Sequence, residues 1–256
     1  MLETQNEMIA RLRTAFDADL PLRMELEAMS RMLGTHGIRT STCLDLGFQN
    51  PVASCKFRDL GGYWTTTVWT ARERREAVEV LGEEVLQIGI NGELPFEDKQ
   101  FDVVVLARGR LNGDHDHDLA LIRECHRILK TPGYLIVGSD FRRRFTLLSL
   151  FGCDTRHGYT EKELFGLLKM GFDVLGFKTY CRFWVQLARH LFTRHADANT
   201  GGAGQRICYS IANFFDALGF FTKGYHLIAH GRRKSWRALP HPSKYARPIS
   251  DVIFRN

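Results

Sequence analysis

The run His115-Asp116-His117-Asp118 alternates two imidazoles with two carboxylates, residue types that ligate metals and move protons. Asp114 precedes it, and either Asp114 or His115 can act as a general base toward an oxygen or nitrogen nucleophile. The same run opens an apolar-periodic segment, where Asp is favoured as a cap and by the helix dipole, so capping outweighs metal ligation. A second cluster is Arg142-Arg143-Arg144, with Arg108 and Arg110 upstream. A solvated turn is the default for such a run, and an anion contact is the alternative. A third is Asp45-Leu46-Gly47-Phe48-Gln49-Asn50-Pro51, a carboxylate and a glycine closing a short apolar stretch. By contrast, Gly201-Gly202-Ala203-Gly204 lacks the following Lys-Ser/Thr of a phosphate-binding loop and reads as a flexible linker.

The elements that must hold these residues alternate. Apolar spacing predicts helices over 3–16 and 22–34, with Pro21 breaking between them and Gly34 ending the second. A strand follows over 42–48, then a helix over 51–60 with Asn50 as cap and Pro51 at its first position. Strands are expected over 63–70, 85–90 and 101–107, with a charged helix over 71–81. The continuous run Val103-Val104-Val105-Leu106 suits a strand buried on both faces. A helix over 119–129, capped by Asp116 or Asp118, is stopped by Thr131-Pro132-Gly133, and a strand covers 134–139. Thr160 and Glu163 are spaced as a capping box for a helix over 160–170. Strands over 172–179 and 224–231 bring the number to seven. Between these last two lie two apolar stripes, one over 183–192 and one over 207–221, which read as a helical lid or, alternatively, as a membrane-docking surface. Strand-helix alternation implies a mostly parallel α/β sheet with right-handed crossovers.

Composition narrows the function classes. With 44% hydrophobic and 25% charged residues the chain suits one large domain, or one domain with a cap. Apolar runs are too short to span a bilayer, and the acid-bearing amphipathic start is neither a signal nor a transit peptide. Six scattered cysteines without a CxxC pair argue against zinc and against a disulfide framework, and a reducing cytoplasm is the simplest setting. The net charge of +6 comes from the end of the chain, where residues 222–256 carry eight Lys/Arg against Asp251 alone. That basic tail is a solvated segment or a contact for phosphates of lipid or nucleic acid. Its aromatics are not interleaved with the charges, which disfavours single-stranded nucleic acid.

Leu94-Pro95-Phe96, Asp98 and Phe101-Asp102, followed by the run from Arg127 to Val137, follow the pattern LPFxDxxFDVVV…RxLKPGGxLIV, with Thr131 inserted before Pro132-Gly133. On these residues the chain resembles the class I, type 11 methyltransferases that depend on S-adenosylmethionine, with weaker correspondence extending from Thr42 to Thr179. The resemblance implies a Rossmann-like seven-stranded sheet with helices on both faces, its seventh strand antiparallel between the fifth and sixth. It divides the chain into N-terminal helices (1–40), a methyltransferase-like core (41–180), a helical lid (181–223), and a last strand with the basic tail (224–256). It implies S-adenosylmethionine around Asp45, Gly47, Gln49, Thr70, Glu73, Asn91, Glu93, Leu94, Ala107 and Arg108, with His115 or Asp114 at the transferred methyl. Two departures stand out. Gln49 and Pro51 replace the second and third glycines of the family loop, and no acid closes the second strand before Glu73. The implied activity is methyl transfer to a small, hydrophobic or lipid-like acceptor. The alternative is an inactive methyltransferase fold that works as a binding or scaffold partner. Peripheral membrane or anion contact through the tail is the further expectation.

Overall fold

The computed structural model describes residues 4–48, 50–89, 93–111, 113–142, 158–195, 203–218 and 223–234. Seven strands form one sheet in the order β3-β2-β1-β4-β5-β7-β6. They are β1 (Thr42–Leu46), β2 (Tyr63–Val68), β3 (Leu86–Gln87), β4 (Phe101–Leu106), β5 (Leu129–Asp140), β6 (Phe172–Tyr180) and β7 (His226–Arg233). Pairings among β1 to β5 are parallel, whereas β7 runs antiparallel between β5 and β6. The α/β architecture and the place of the last strand are those expected from the sequence.

The helices are α1 (Gln5–Ala18), α2 (Leu20–Gly34), α3 (Pro51–Arg58), α4 (Ala71–Leu81), α5 (His115–Ile128), α6 (Glu161–Leu168), α7 (Phe183–His195) and α8 (Ala203–Leu218). Each central strand feeds two cores by the alternation of its side chains. Cys43, Val103, Val105 and Ile136 meet α1, α2 and α3 through Leu12, Phe16, Met29, Leu33 and Phe57. Leu44, Val104, Leu106 and Leu135 meet α5 and α6 through Leu121, Ile122, Ile128 and Leu168. A strand buried on both faces must be apolar at every position, which is what the run in β4 shows.

Several local expectations need correction. Pro21 does not break a helix; it lies in the first turn of α2, where its missing N–H costs nothing, and Asp19 caps that turn by accepting from Leu22 N at 3.0 Å. The cap of α5 is Asp114 and neither Asp116 nor Asp118, which fall in the first turn. Strand β5 begins at Leu129, directly after α5, so Thr131-Pro132-Gly133 lies within the strand. Ala203 and Gly204 open α8, so half of the expected glycine linker is helical. Asn50 caps α3 and the box Thr160–Glu163 forms as the spacing predicts, and a further box, Thr70–Glu73, opens α4. Helices α7 and α8 lie between β6 and β7 in the chain, and Asp216 of α8 caps α7 by accepting from Trp184 N at 2.8 Å and Val185 N at 3.1 Å.

Candidate active site

In an open α/β sheet, ligands bind beyond the carboxyl ends of the strands where the strand order reverses. Here that point lies between β1 and β4, which are paired in parallel. Chain reversal after β1 is made at Gly47, whose φ of +62° is costly for a residue with a side chain. A Cβ there would also stand 2.9 Å from Thr67 O and 2.9 Å from the Arg110 guanidinium.

Arg110, from the loop after β4, lies across this reversal. Its Nε donates to Gly47 O at 2.8 Å, its Nη2 donates to Glu73 Oε1 at 3.1 Å, and its guanidinium stacks 4.5 Å from the Trp69 ring centre. Glu73 reaches back from the first turn of α4 to the end of β2, where Oε2 accepts from Trp69 N at 3.0 Å and Thr70 N at 3.2 Å. A carboxylate therefore does stand at the end of β2, supplied by the following helix. Burial pushes its pKa up, but Arg110 and the two backbone N–H groups outweigh that and hold it below the usual range.

Asp45 is fully buried at the end of β1, with its Oδ2 accepting a long hydrogen bond from Thr66 Oγ1 at 3.4 Å. Its Oδ1 has no partner among the described residues. Burial pushes its pKa up to about 6, against the pull of Ser54, Arg58 and Arg110. Thr70 spends its hydroxyl on capping α4. Ala107 is buried at the end of β4. Leu94 is buried and its N–H donates to Glu124 Oε2 at 3.0 Å, whereas Glu93 beside it is exposed. Asp114 and His115 are both exposed at the start of α5. Gln49, Asn91, Arg143 and Arg144 lie outside the described residues, as does the tail from residue 235.

Sequence reasoning passed over Glu25. This α2 carboxylate is 1% exposed and faces Arg108 across the strand ends. Its Oε1 accepts from Arg108 N at 2.8 Å and its Oε2 from Arg108 Nε at 3.3 Å. Burial raises the Glu25 pKa against the guanidinium's pull. An acid within an apolar helical stripe was the available signal. A cavity of about 210 Å³ lies here, lined by Asp19, Glu25, Phe48, Asn50, Ala107 and Arg108, among others. It abuts the ends of β1 and β4, roofed by α1 and α2.

Residues 59–137 match the family model described as a methyltransferase domain, a span of less than half the chain. No curated protein matches the chain. Among solved structures, a SAM-dependent methyltransferase from Methanosarcina mazei is 17% identical with a TM-score of 0.51, covering 76% of this chain and 93% of its own. Geranyl diphosphate C-methyltransferase from Streptomyces coelicolor is 12% identical with a TM-score of 0.52, covering 81% of this chain and 76% of its own. The [4+2]-cyclase SpnF is 18% identical with a TM-score of 0.53, covering 82% of each chain. The fold and the cleft define the class: this is a Rossmann-like class I methyltransferase fold. Within it, residues 59–137 carry the methyltransferase-domain signature. A cyclase among the structural neighbours shows that the fold alone does not fix the reaction.

Proposed function

We propose that this protein binds S-adenosylmethionine beyond β1 and β4 and transfers its methyl group to a small acceptor. The observation that carries this is the pairing of a glycine reversal at Gly47 with a carboxylate, Glu73, at the end of β2. Those two features suit a nucleoside: bare backbone for close approach and an acid for ribose hydroxyls. The residues fit the group on one condition, that the Arg110 side chain leaves the Glu73 carboxylate. It is long and loop-borne, so it can. Asp45 would support the loop, Glu73 would take the ribose, and the Ala107 and Arg108 backbone would border the methionine end. Thr70, Glu93 and Leu94 complete the assignment among the described residues, and Gln49 and Asn91 belong to it by sequence position alone. When bound, the group supplies an electrophilic methyl. The chain's own part is to align the acceptor and keep water out. Asp114 or His115 remains the proposed base from the loop after β4.

The proposed acceptor has a hydrophobic or lipid-like body. Supporting this, α8 exposes Ile207, Ile211, Phe214, Phe215 and Leu218 on one stripe, and α7 exposes Trp184 and Leu191. Calorimetric titration of the full chain with S-adenosylmethionine and S-adenosylhomocysteine tests the cofactor. Micromolar binding is expected, and Gly47→Arg should abolish it. Silence at millimolar ligand would favour the other reading, an inactive fold whose cleft is held shut by Arg110.

A further inference from the structure

A groove of about 300 Å³ runs along a second flank of α2. Leu22 and Glu25 line the cavity beside Ala107, whereas Leu20, Met24 and Ala28 line the groove, and helical periodicity sets these two groups on different flanks. The end of β6 (residues 178–182) and Ala217 of α8 supply its other sides. Leu20, Met24 and Ala28 recur one turn apart and form an apolar stripe. From Leu20 to Arg31 the lining residues of α2 extend over about 16 Å at the helical rise. Three cations line the groove against two acids, Glu27 and Asp216. Arg31 is paired with Glu27 one turn earlier, and Arg182 Nη1 donates to Asp216 O at 2.8 Å. The Asp216 carboxylate is engaged by the first N–H groups of α7. Lys178 has neither an ion pair nor a side-chain hydrogen bond among the described residues, and it is half-buried. Two residues back on the same face of β6, a Cβ on Gly176 would meet nothing within 4 Å, so the approach to Lys178 is open on that side.

We propose that this groove binds a fatty acid, with the carboxylate on Lys178 Nζ and the unbranched chain along Leu20, Met24 and Ala28. The shape and the charge point the same way. A long, narrow space walled by an apolar stripe suits a single methylene chain better than a ring system. The lining carries one positive charge in excess, Arg31, Lys178 and Arg182 against Glu27 and Asp216, and the unpaired amine is the group that an acid would answer with a charge-assisted hydrogen bond. Affinity then comes from two separable sources, the ion pair and the methylenes removed from water. The exposed stripe of α8 differs in this respect, because it offers apolar surface without a matching charge. The groove does not rest on the methyl-transfer reading, since α2 stands between it and the cleft.

The test titrates the full chain with octanoate, decanoate and decyltrimethylammonium, each below its micelle-forming concentration and at one salt concentration. Decanoate should bind about tenfold tighter than octanoate, the gain from two more buried methylenes. It should also bind about tenfold tighter than the cation of the same chain length. Lys178→Glu should reverse that preference, and Lys178→Arg, which keeps the charge, should retain it. Ile211→Ser with Phe214→Ser, on the outward stripe of α8, should leave decanoate affinity unchanged. Equal affinity for acid and cation, no gain with chain length, or a preference for the acid that survives Lys178→Glu would each overturn the inference. Loss of decanoate binding in the α8 double variant would overturn it too, by placing the chain on the exposed stripe. Failure of S-adenosylhomocysteine to bind would sink the methyl-transfer reading and leave these outcomes as they stand.

Discussion

Arg110 holds the carbonyl of Gly47 and the carboxylate of Glu73 at once, and both groups face the cleft. Any ligand that needs Glu73 must first displace a charge-assisted hydrogen bond, so apparent affinity is lowered by the fraction of molecules in which that bond is closed. Arg110→Ala should therefore tighten S-adenosylhomocysteine binding by about tenfold, the equivalent of one such bond of about 1.4 kcal/mol. Calorimetry on the two proteins checks this, and weaker binding in the variant would make Arg110 a ligand contact instead of a competitor. Asp45 offers a second test. Its pKa near 6 in the folded chain exceeds the ordinary value near 4 for an unfolded Asp. Between about pH 4 and pH 6 the folded state holds more protons than the unfolded one, so stability falls as pH rises through that window, by up to about 3 kcal/mol. Asp45→Asn lacks this titration. The difference in unfolding free energy between the two proteins should grow in the variant's favour from pH 4 to pH 7, and a flat difference would show that Asp45 is not a buried acid.

At the scale of the elements, the segment most legible in the sequence turns out to be structural. Arg127 of α5 donates to Leu94 O at 2.9 Å, Phe96 O at 2.7 Å and Asp98 Oδ1 at 2.9 Å, and it also pairs with Glu124. The loop ahead of β4 is thus clamped to the helix after it. Asp102 accepts from Thr42 N at 2.8 Å and from Lys130 Nζ at 2.9 Å, tying the starts of β1, β4 and β5 together. These residues fasten the amino ends of the strands, on the side of the sheet away from the cleft. That is why the fold could be read with little ambiguity and the chemistry could not. Arg127→Ala should lower stability by about 1–3 kcal/mol in a denaturant melt, with ligand affinity affected less than stability. The cleft was harder to read because its groups come from unrelated positions. Glu25 belongs to α2, Arg108 to a loop, and Asp140 and His226 to two strands separated by most of the C-terminal half of the chain. No local spacing links them. Glu73 was legible only as a poor match, since the acid reaches back from the following helix instead of closing the strand. Glu25→Ala would leave the buried Arg108 guanidinium with Asp140 alone of its two carboxylate partners and should cost about 3 kcal/mol, whereas Glu25→Gln, which keeps an acceptor oxygen, should cost less. Equal losses in the two variants would show that the charge is immaterial.

The molecule as a whole is asymmetric. Among the described residues no helix is long and apolar enough to cross a membrane. Yet α8 turns five large apolar side chains outward, and the basic charge of the sequence is concentrated after residue 222. An apolar stripe and a cationic segment in one chain suit attachment to an anionic bilayer surface. The full chain should float with phosphatidylserine vesicles at low salt, and Phe214→Ser with Ile211→Ser should release it without loss of S-adenosylhomocysteine binding. Flotation unchanged by the double substitution would assign the stripe to another role.

The position of β7 has a consequence for how this protein is made. On the ribosome, β5 and β6 emerge before the strand that must lie between them. Until residues 226–233 arrive, those two strands present the unpaired edges that β7 will later bridge. Asp140 likewise has no imidazole to hold until then. Closure of the sheet is therefore a late event of biosynthesis, and a nascent chain halted short of residue 226 would be sticky along both edges.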